Sequence, residues 1–272
     1  MKPYQQIPIH ECGEPLLPIP IAPKSTPCSP APHSPLPTPH SPLSTLHSPQ
    51  GFALEHPHPY VKLGAPYGDK SPYFVRQGVL ERLQQAQNFL HQQKPGWRIQ
   101  IFDAYRPIAV QQFMVDYTFQ TLLTERSLTV DRLTETEQAS LWEEVYQFWA
   151  VPSPDPATPP PHSTGAAIDI TLVNETGETV DMGSAIDELS PRSYPNHFAD
   201  ISVWKIQNPG MTEAQADRFH QNRQLLRQAM TSAGFLQHPN EWWHFSWGDQ
   251  LWAWQMAQAH PGRSGIARYG GI

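Results

Sequence analysis

The sequence predicts an α+β fold: one compact domain of a small antiparallel sheet with flanking helices, preceded by a Pro-rich disordered tail. Three observations carry that prediction. Apolar residues recur at helical spacing in some stretches and alternate in others, with no regular strand–helix–strand rhythm. The chain holds 31 prolines in 272 residues, far above globular usage. Its 39 % hydrophobic share, with nine Trp, still suffices for one substantial core.

Residues 1–52 hold much of the excess proline, and His33-Ser34-Pro35, His40-Ser41-Pro42 and His47-Ser48-Pro49 repeat within them. Proline lacks the amide donor and fixes its backbone angle, so this segment is expected to stay extended or disordered. The folded domain is assigned to residues 53–272. Val79, Leu83, Ala86 and Leu90 fall on one helical face that ends at Pro95-Gly96. Trp97 to Phe102 alternates like a half-buried strand, and Pro107 then opens a helix carrying Val110, Phe113, Met114 and Tyr117. A further helix is expected over Glu135 to Trp149. Ala166 to Val173 reads as a strand returning through Asn174–Gly177 into Glu178-Thr179-Val180. Thr212 and Gln215 make a capping box for a helix that stops at Gly234, and Trp242 to Trp247 reads as the last strand.

Bulk properties exclude several function classes. A net charge of −7, without any Lys/Arg-rich run, argues against nucleic acid or an anionic membrane surface as the main partner. Cys12 and Cys28, both in the Pro-rich segment, build neither a disulfide framework nor a cysteine metal site. No apolar stretch reaches the roughly 18 residues of a membrane span. None follows Met1-Lys2-Pro3 as a secretory signal would require. A cytoplasmic location is therefore expected, with the periplasm as the alternative.

Three stretches carry chemistry. In His162-Ser163-Thr164-Gly165-Ala166-Ala167-Ile168-Asp169, a histidine precedes a strand that contains an aspartate between two isoleucines. A carboxylate in such a strand is costly unless paired or bound to a metal. Glu241-Trp242-Trp243-His244 offers a second imidazole and a possible acid/base, provided that Glu241 lies in the turn before the strand. Arg106, between a strand and Pro107, can grip an oxyanion or a carboxylate. Alone, the first two stretches are equally well read as salt bridges and packing, and an arginine placed like Arg106 is more often a surface salt bridge.

Together and in this order they resemble the D-alanyl-D-alanine dipeptidases of the VanX type, within the zinc peptidases that also include D-alanyl-D-alanine carboxypeptidases. The pattern S-x-H-x-x-G-x-A-x-D is met by His162, Gly165, Ala167 and Asp169, with Pro160 in place of the serine. Glu241 and His244 meet E-x-x-H, and Asp103 to Pro107 meets D-[AG]-Y-R-P. Met182-Gly183-Ser184 with Asp187, and Asn222-Arg223 through Gly234-Phe235, match two further dipeptidase motifs.

The resemblance implies one zinc ion held by His162, Asp169 and His244, with Glu241 as general base and acid. It implies Arg106 as the cation at the oxyanion, and Asp187 as the carboxylate that receives the ammonium of a small dipeptide substrate. The implied fold is that of the Hedgehog and D,D-peptidase domains. A stem-peptide D,D-carboxypeptidase or endopeptidase, and a zinc-bound binding module without catalysis, stay open as alternatives. The oligomeric state is not legible.

Overall fold

The computed structural model describes residues 2–22, 51–208, 210–260, 262 and 265–272. In chain order its strands are β1 (Leu16–Pro18), β2 (Ala53–Leu54), β3 (Phe74–Arg76), β4 (Arg98–Asp103), β5 (Ala167–Val173), β6 (Leu236–Gln237) and β7 (His244–Ser246). Its α-helices are α1 (Pro59–Lys62), α2 (Gln77–Gln93), α3 (Ile108–Glu125), α4 (Glu135–Phe148), α5 (Ile201–Gln207), α6 (Glu213–Ser232) and α7 (Gln250–Ala259). The main sheet runs β2-β4-β5-β7-β6, and β1 pairs separately with β3. All of these pairings are antiparallel except β2 with β4. That exception follows from the connection: β3 and α2 intervene, and a helical crossover returns the chain in the same direction.

The apolar stripe of α2 (Val79, Leu83, Ala86 and Leu90) packs with Leu226, Ala229 and Met230 of α6 against Ile168, Ile170 and Leu172 of β5. Alternation then sends Asp169 and Thr171 to the opposite face. That face is covered as well, so all seven residues of β5 are buried. Thr212 Oγ1 accepts the Gln215 amide and Gln215 Oε1 accepts the Thr212 amide, so the expected capping box is formed. Helices α3 and α4 build a second cluster with Tyr60, Tyr67 and Trp149 beside the sheet. Two elements are shorter than their alternation suggested. Glu178–Val180 contributes only a bridge between Val173 and Thr179, and the last strand begins at His244 rather than Trp242.

The reading of residues 1–52 as a single tail needs correction at its start. Residues 2–22 pack on the domain: Pro3–Gln6 forms a 3-10 turn, β1 pairs with β3, and Tyr4 and Ile19 are buried. Proline removes only a donor, so its carbonyls still accept, while the amides of His10, Cys12, Ile19 and Ala22 donate to the domain. Pro8 O accepts from Ala267 N, Pro15 O from Gln77 N, and Pro20 O from Phe52 N. Glu11 and Glu14 add side-chain bonds to Arg76, Gly78 and Tyr269. The three His-Ser-Pro repeats and Cys28 lie outside the described residues, while Cys12 is exposed. No helix among the described residues is long and apolar enough to cross a membrane.

Candidate active site

Adjacent strands assemble the site. Asp103 of β4 sits opposite Asp169 of β5, which sits opposite His244 of β7. Directly opposed residues share a sheet face, so these three side chains form one row across the sheet. His162 arrives from the 3-10 turn Pro161–Thr164, which Gly165 ends at φ +71°. That left-handed angle calls for glycine, and a Cβ there would also push against Leu16 Cδ2 at 2.5 Å. Glu241 lies between the Pro239-Asn240 turn and β7. That removes the i, i+3 facing problem of a regular strand, and its Oε2 is 3.7 Å from His244 Nδ1. Trp242 and Trp243, packed edge to face at 5.4 Å, anchor the segment from which Glu241 and His244 project.

His162, Asp169 and His244, all buried, place one ligand atom each within 4.8 Å of one another. His162 Nε2 is 3.1 Å from His244 Nδ1. Asp169 Oδ1 is 3.0 Å from His244 Nδ1, and Asp169 Oδ2 is 3.2 Å from His162 Nε2. Ligand atoms about 2.0–2.1 Å from a tetrahedral ion would lie roughly 3.3 Å apart. Protonation also fits a metal. His162 Nδ1 lies 2.7 Å from the Ala104 carbonyl, which can only accept, so Nδ1 carries a proton and Nε2 is the nitrogen left for a metal. Burial, the larger influence, holds the His244 imidazole below its usual range and therefore neutral. Burial works to raise Asp169, but His162 and His244 together hold its carboxyl well below the usual range and therefore ionised. Two imidazoles and a carboxylate form a donor set that a divalent cation satisfies.

Arg106 is fixed from several sides. Its Nε donates to Asp103 Oδ2 (2.9 Å), Nη1 to Gln111 Oε1 (2.9 Å) and Nη2 to Asp169 Oδ2 (3.1 Å). Asp103, with no exposure, also receives Tyr67 OH at 2.9 Å and lies 3.1 Å from His58 Nε2. Burial opposes its ionisation, but Arg106 and His58 hold its carboxyl below the usual range. Asp103 thus carries the charge that orients the guanidinium.

Asp187 and Glu241 line the same cavity as the triad and Arg106. Burial first, and the Asp169 charge second, push the Asp187 carboxyl up to about 7. The same two influences hold Glu241 well above the usual range. Tyr60 OH donates to Asp187 Oδ2 at 2.7 Å, and Asp187 itself adopts φ +63°. Its loop is held by α6: Arg223 donates to Met182 O, Tyr194 O and Ser184 Oγ, and Asn222 to Asp181 O. Gly183, at φ +83°, leaves room for the Phe198 ring, which a Cβ would approach to 2.5 Å.

Comparison with known proteins agrees with this geometry. The model of the D-ala-D-ala dipeptidase family matches residues 54–262. The chain belongs to the D-ala-D-ala dipeptidase family. Within it, a Synechocystis protein named D-alanyl-D-alanine dipeptidase is 46 % identical over 272 residues, all of this chain and 97 % of that one. Proteins of the same name from Escherichia coli and Enterococcus faecalis are 31 % and 32 % identical over 157 and 163 residues. Those matches cover 56 % and 59 % of this chain, and 56 % and 67 % of the relatives. This chain is accordingly a metallopeptidase of that family.

All six residues singled out from the sequence line this one cavity. Sequence reasoning missed His58, Tyr60 and Tyr67, which support Asp103, Arg106 and Asp187, and it missed Lys2, Tyr4 and His238 in the cavity wall. These residues follow no motif spacing. Only the buried acids they serve signalled that partners had to exist.

Proposed function

We propose that this protein hydrolyses D-alanyl-D-alanine and related short D,D-dipeptides to free D-amino acids, using one zinc ion held by His162, Asp169 and His244. The observation that carries the reading is the single cavity in which the buried donor triad meets two further acids, the buried Glu241 and the half-buried Asp187. When bound, zinc supplies Lewis acidity that polarises a carbonyl and acidifies water. Glu241 accepts the proton of the attacking water and delivers it to the departing amine. Its raised proton affinity suits a group that must both take and give a proton near neutrality. Arg106, fixed by Asp103 and Gln111, keeps a permanent positive charge where the oxyanion develops. Asp187 pairs with the substrate's ammonium. A longer peptide brings an amide instead, and would leave a desolvated carboxylate unpaired.

The deciding experiment compares D-alanyl-D-alanine with L-alanyl-L-alanine and N-acetyl-D-alanyl-D-alanine, using purified zinc-loaded protein. Turnover of the free D,D-dipeptide alone is expected. Turnover of the acetylated form would assign a D,D-carboxypeptidase instead. Failure to turn over any of the three despite bound zinc would favour a binding module.

The two acids also set a pH dependence. Asp187 must be ionised to hold an ammonium and Glu241 to accept a proton, and burial raises both, Asp187 to about 7. kcat/KM is therefore expected to rise as pH rises towards neutrality. A bound cation draws this acid limb downward by offsetting the Asp169 charge. A limb confined below roughly pH 5, the range of ordinary carboxyls, would show that burial shifts neither acid in the loaded enzyme.

A further inference from the structure

The first residues of the chain reach the catalytic cavity. Tyr4 is buried at its wall, Gln250 Nε2 donates to Ile7 O at 2.7 Å, and Ala267 N donates to Pro8 O at 2.9 Å. This seating puts Lys2 in the lining of the cavity that contains Arg106, Asp169, Asp187 and Glu241.

A dipeptide zwitterion brings a carboxylate as well as an ammonium. Three acids in this cavity, Asp169, Asp187 and Glu241, repel that carboxylate. Arg106 and Lys2 are the Lys/Arg cations in its lining. The donors of Arg106 are committed to Asp103, Gln111, Tyr60 and Asp169. The Lys2 ammonium, by contrast, makes no hydrogen bond among the described residues; only its backbone amide does, to Gln5 Oε1 at 2.8 Å. Lys2 lines the same cavity as Asp187 and Glu241, and its charge and that of Glu241 act on each other. Two extended residues span about 7 Å at most, so a cation and an anion in the lining of one small cavity match a free dipeptide.

We propose that Lys2 receives the substrate's terminal carboxylate, so that a residue from the start of the chain completes the specificity site. The inference rests on the dipeptidase reading above. Burial, the larger influence on Lys2, draws its proton affinity below the usual range. An unpaired ammonium there is costly, and an arriving carboxylate relieves the cost.

The test measures kcat and KM for D-alanyl-D-alanine and for its C-terminal amide, with untagged full-length wild type, Lys2→Met and Lys2→Arg. Wild type is expected to favour the free acid through KM. Lys2→Met should raise KM for the acid by roughly 10- to 100-fold, as for a lost charge-assisted hydrogen bond. The acid-to-amide preference should collapse in Lys2→Met and return largely in Lys2→Arg. An unchanged preference in Lys2→Met overturns the proposal. That includes the case in which both substrates slow equally, which would mean that Lys2 acts only through the proton affinity of Glu241. If wild type fails to hydrolyse the dipeptide at all, the dipeptidase reading falls first and this inference falls with it.

Discussion

Glu241→Gln is expected to keep one zinc per chain and to lose roughly 10²–10⁴ in kcat, the range of a positioned general acid/base. The substitution preserves shape at a buried site and leaves His162, Asp169 and His244 intact. It should not lower Tm. Because the folded state raises the proton affinity of Glu241, its ionisation costs stability as pH rises above the ordinary carboxyl range. A neutral glutamine avoids that cost, so Tm at pH 8 should be equal or higher. Bound zinc measured by elemental analysis, alongside kcat, separates the possibilities. A variant that retains more than about a tenth of wild-type kcat would remove Glu241 from the acid/base role, since even the lower end of that range predicts a hundredfold loss.

His244→Ala is expected to abolish turnover by a different route, through loss of the metal. Removing a partner one shell out from a metal typically costs about 10–100-fold in affinity, and removing one of three direct ligands should cost more. His162 and Asp169 would remain, but two donors cannot close a site with one position reserved for water. The readout independent of activity is thermal. Zinc at 100 times its Kd stabilises the wild type by about 2.7 kcal/mol, and the variant should show little or no zinc-dependent rise in Tm. Full zinc occupancy and an undiminished Tm response in His244→Ala would exclude His244 as a ligand. Asp169→Asn is a less clean probe, because it also disturbs the Arg106 pairing at 3.1 Å.

The contrast between these two experiments mirrors how the site is built. Glu241 and His244 are three residues apart and their side chains approach to 3.7 Å, yet one stands in a turn and the other opens a strand. Loss of Glu241 is expected to remove chemistry from an intact site, and loss of His244 to take away the site itself.

The sequence by itself determined the elements whose signals are local. The stripe of α2, the capping box of α6 and the strand around Asp169 depend on side-chain spacing, and spacing is fixed within a few residues of chain. It also determined the candidate ligands, because a metal-binding set needs particular residue types and this chain carries them in ordered motifs. Tertiary structure alone decided what crosses the chain. The pairing of Asp103, Asp169 and His244 in one row is a property of strand register. Full burial of β5 depends on what covers its second face. Residues 2–22 depart from the expected tail for a related reason: proline content reports the donors a segment lacks, whereas docking here uses its carbonyl acceptors, its remaining amides and the glutamates that meet distant partners. Contacts of Lys2 and Tyr4 with a cavity assembled more than 100 residues away leave no periodic trace, because no local spacing constrains them.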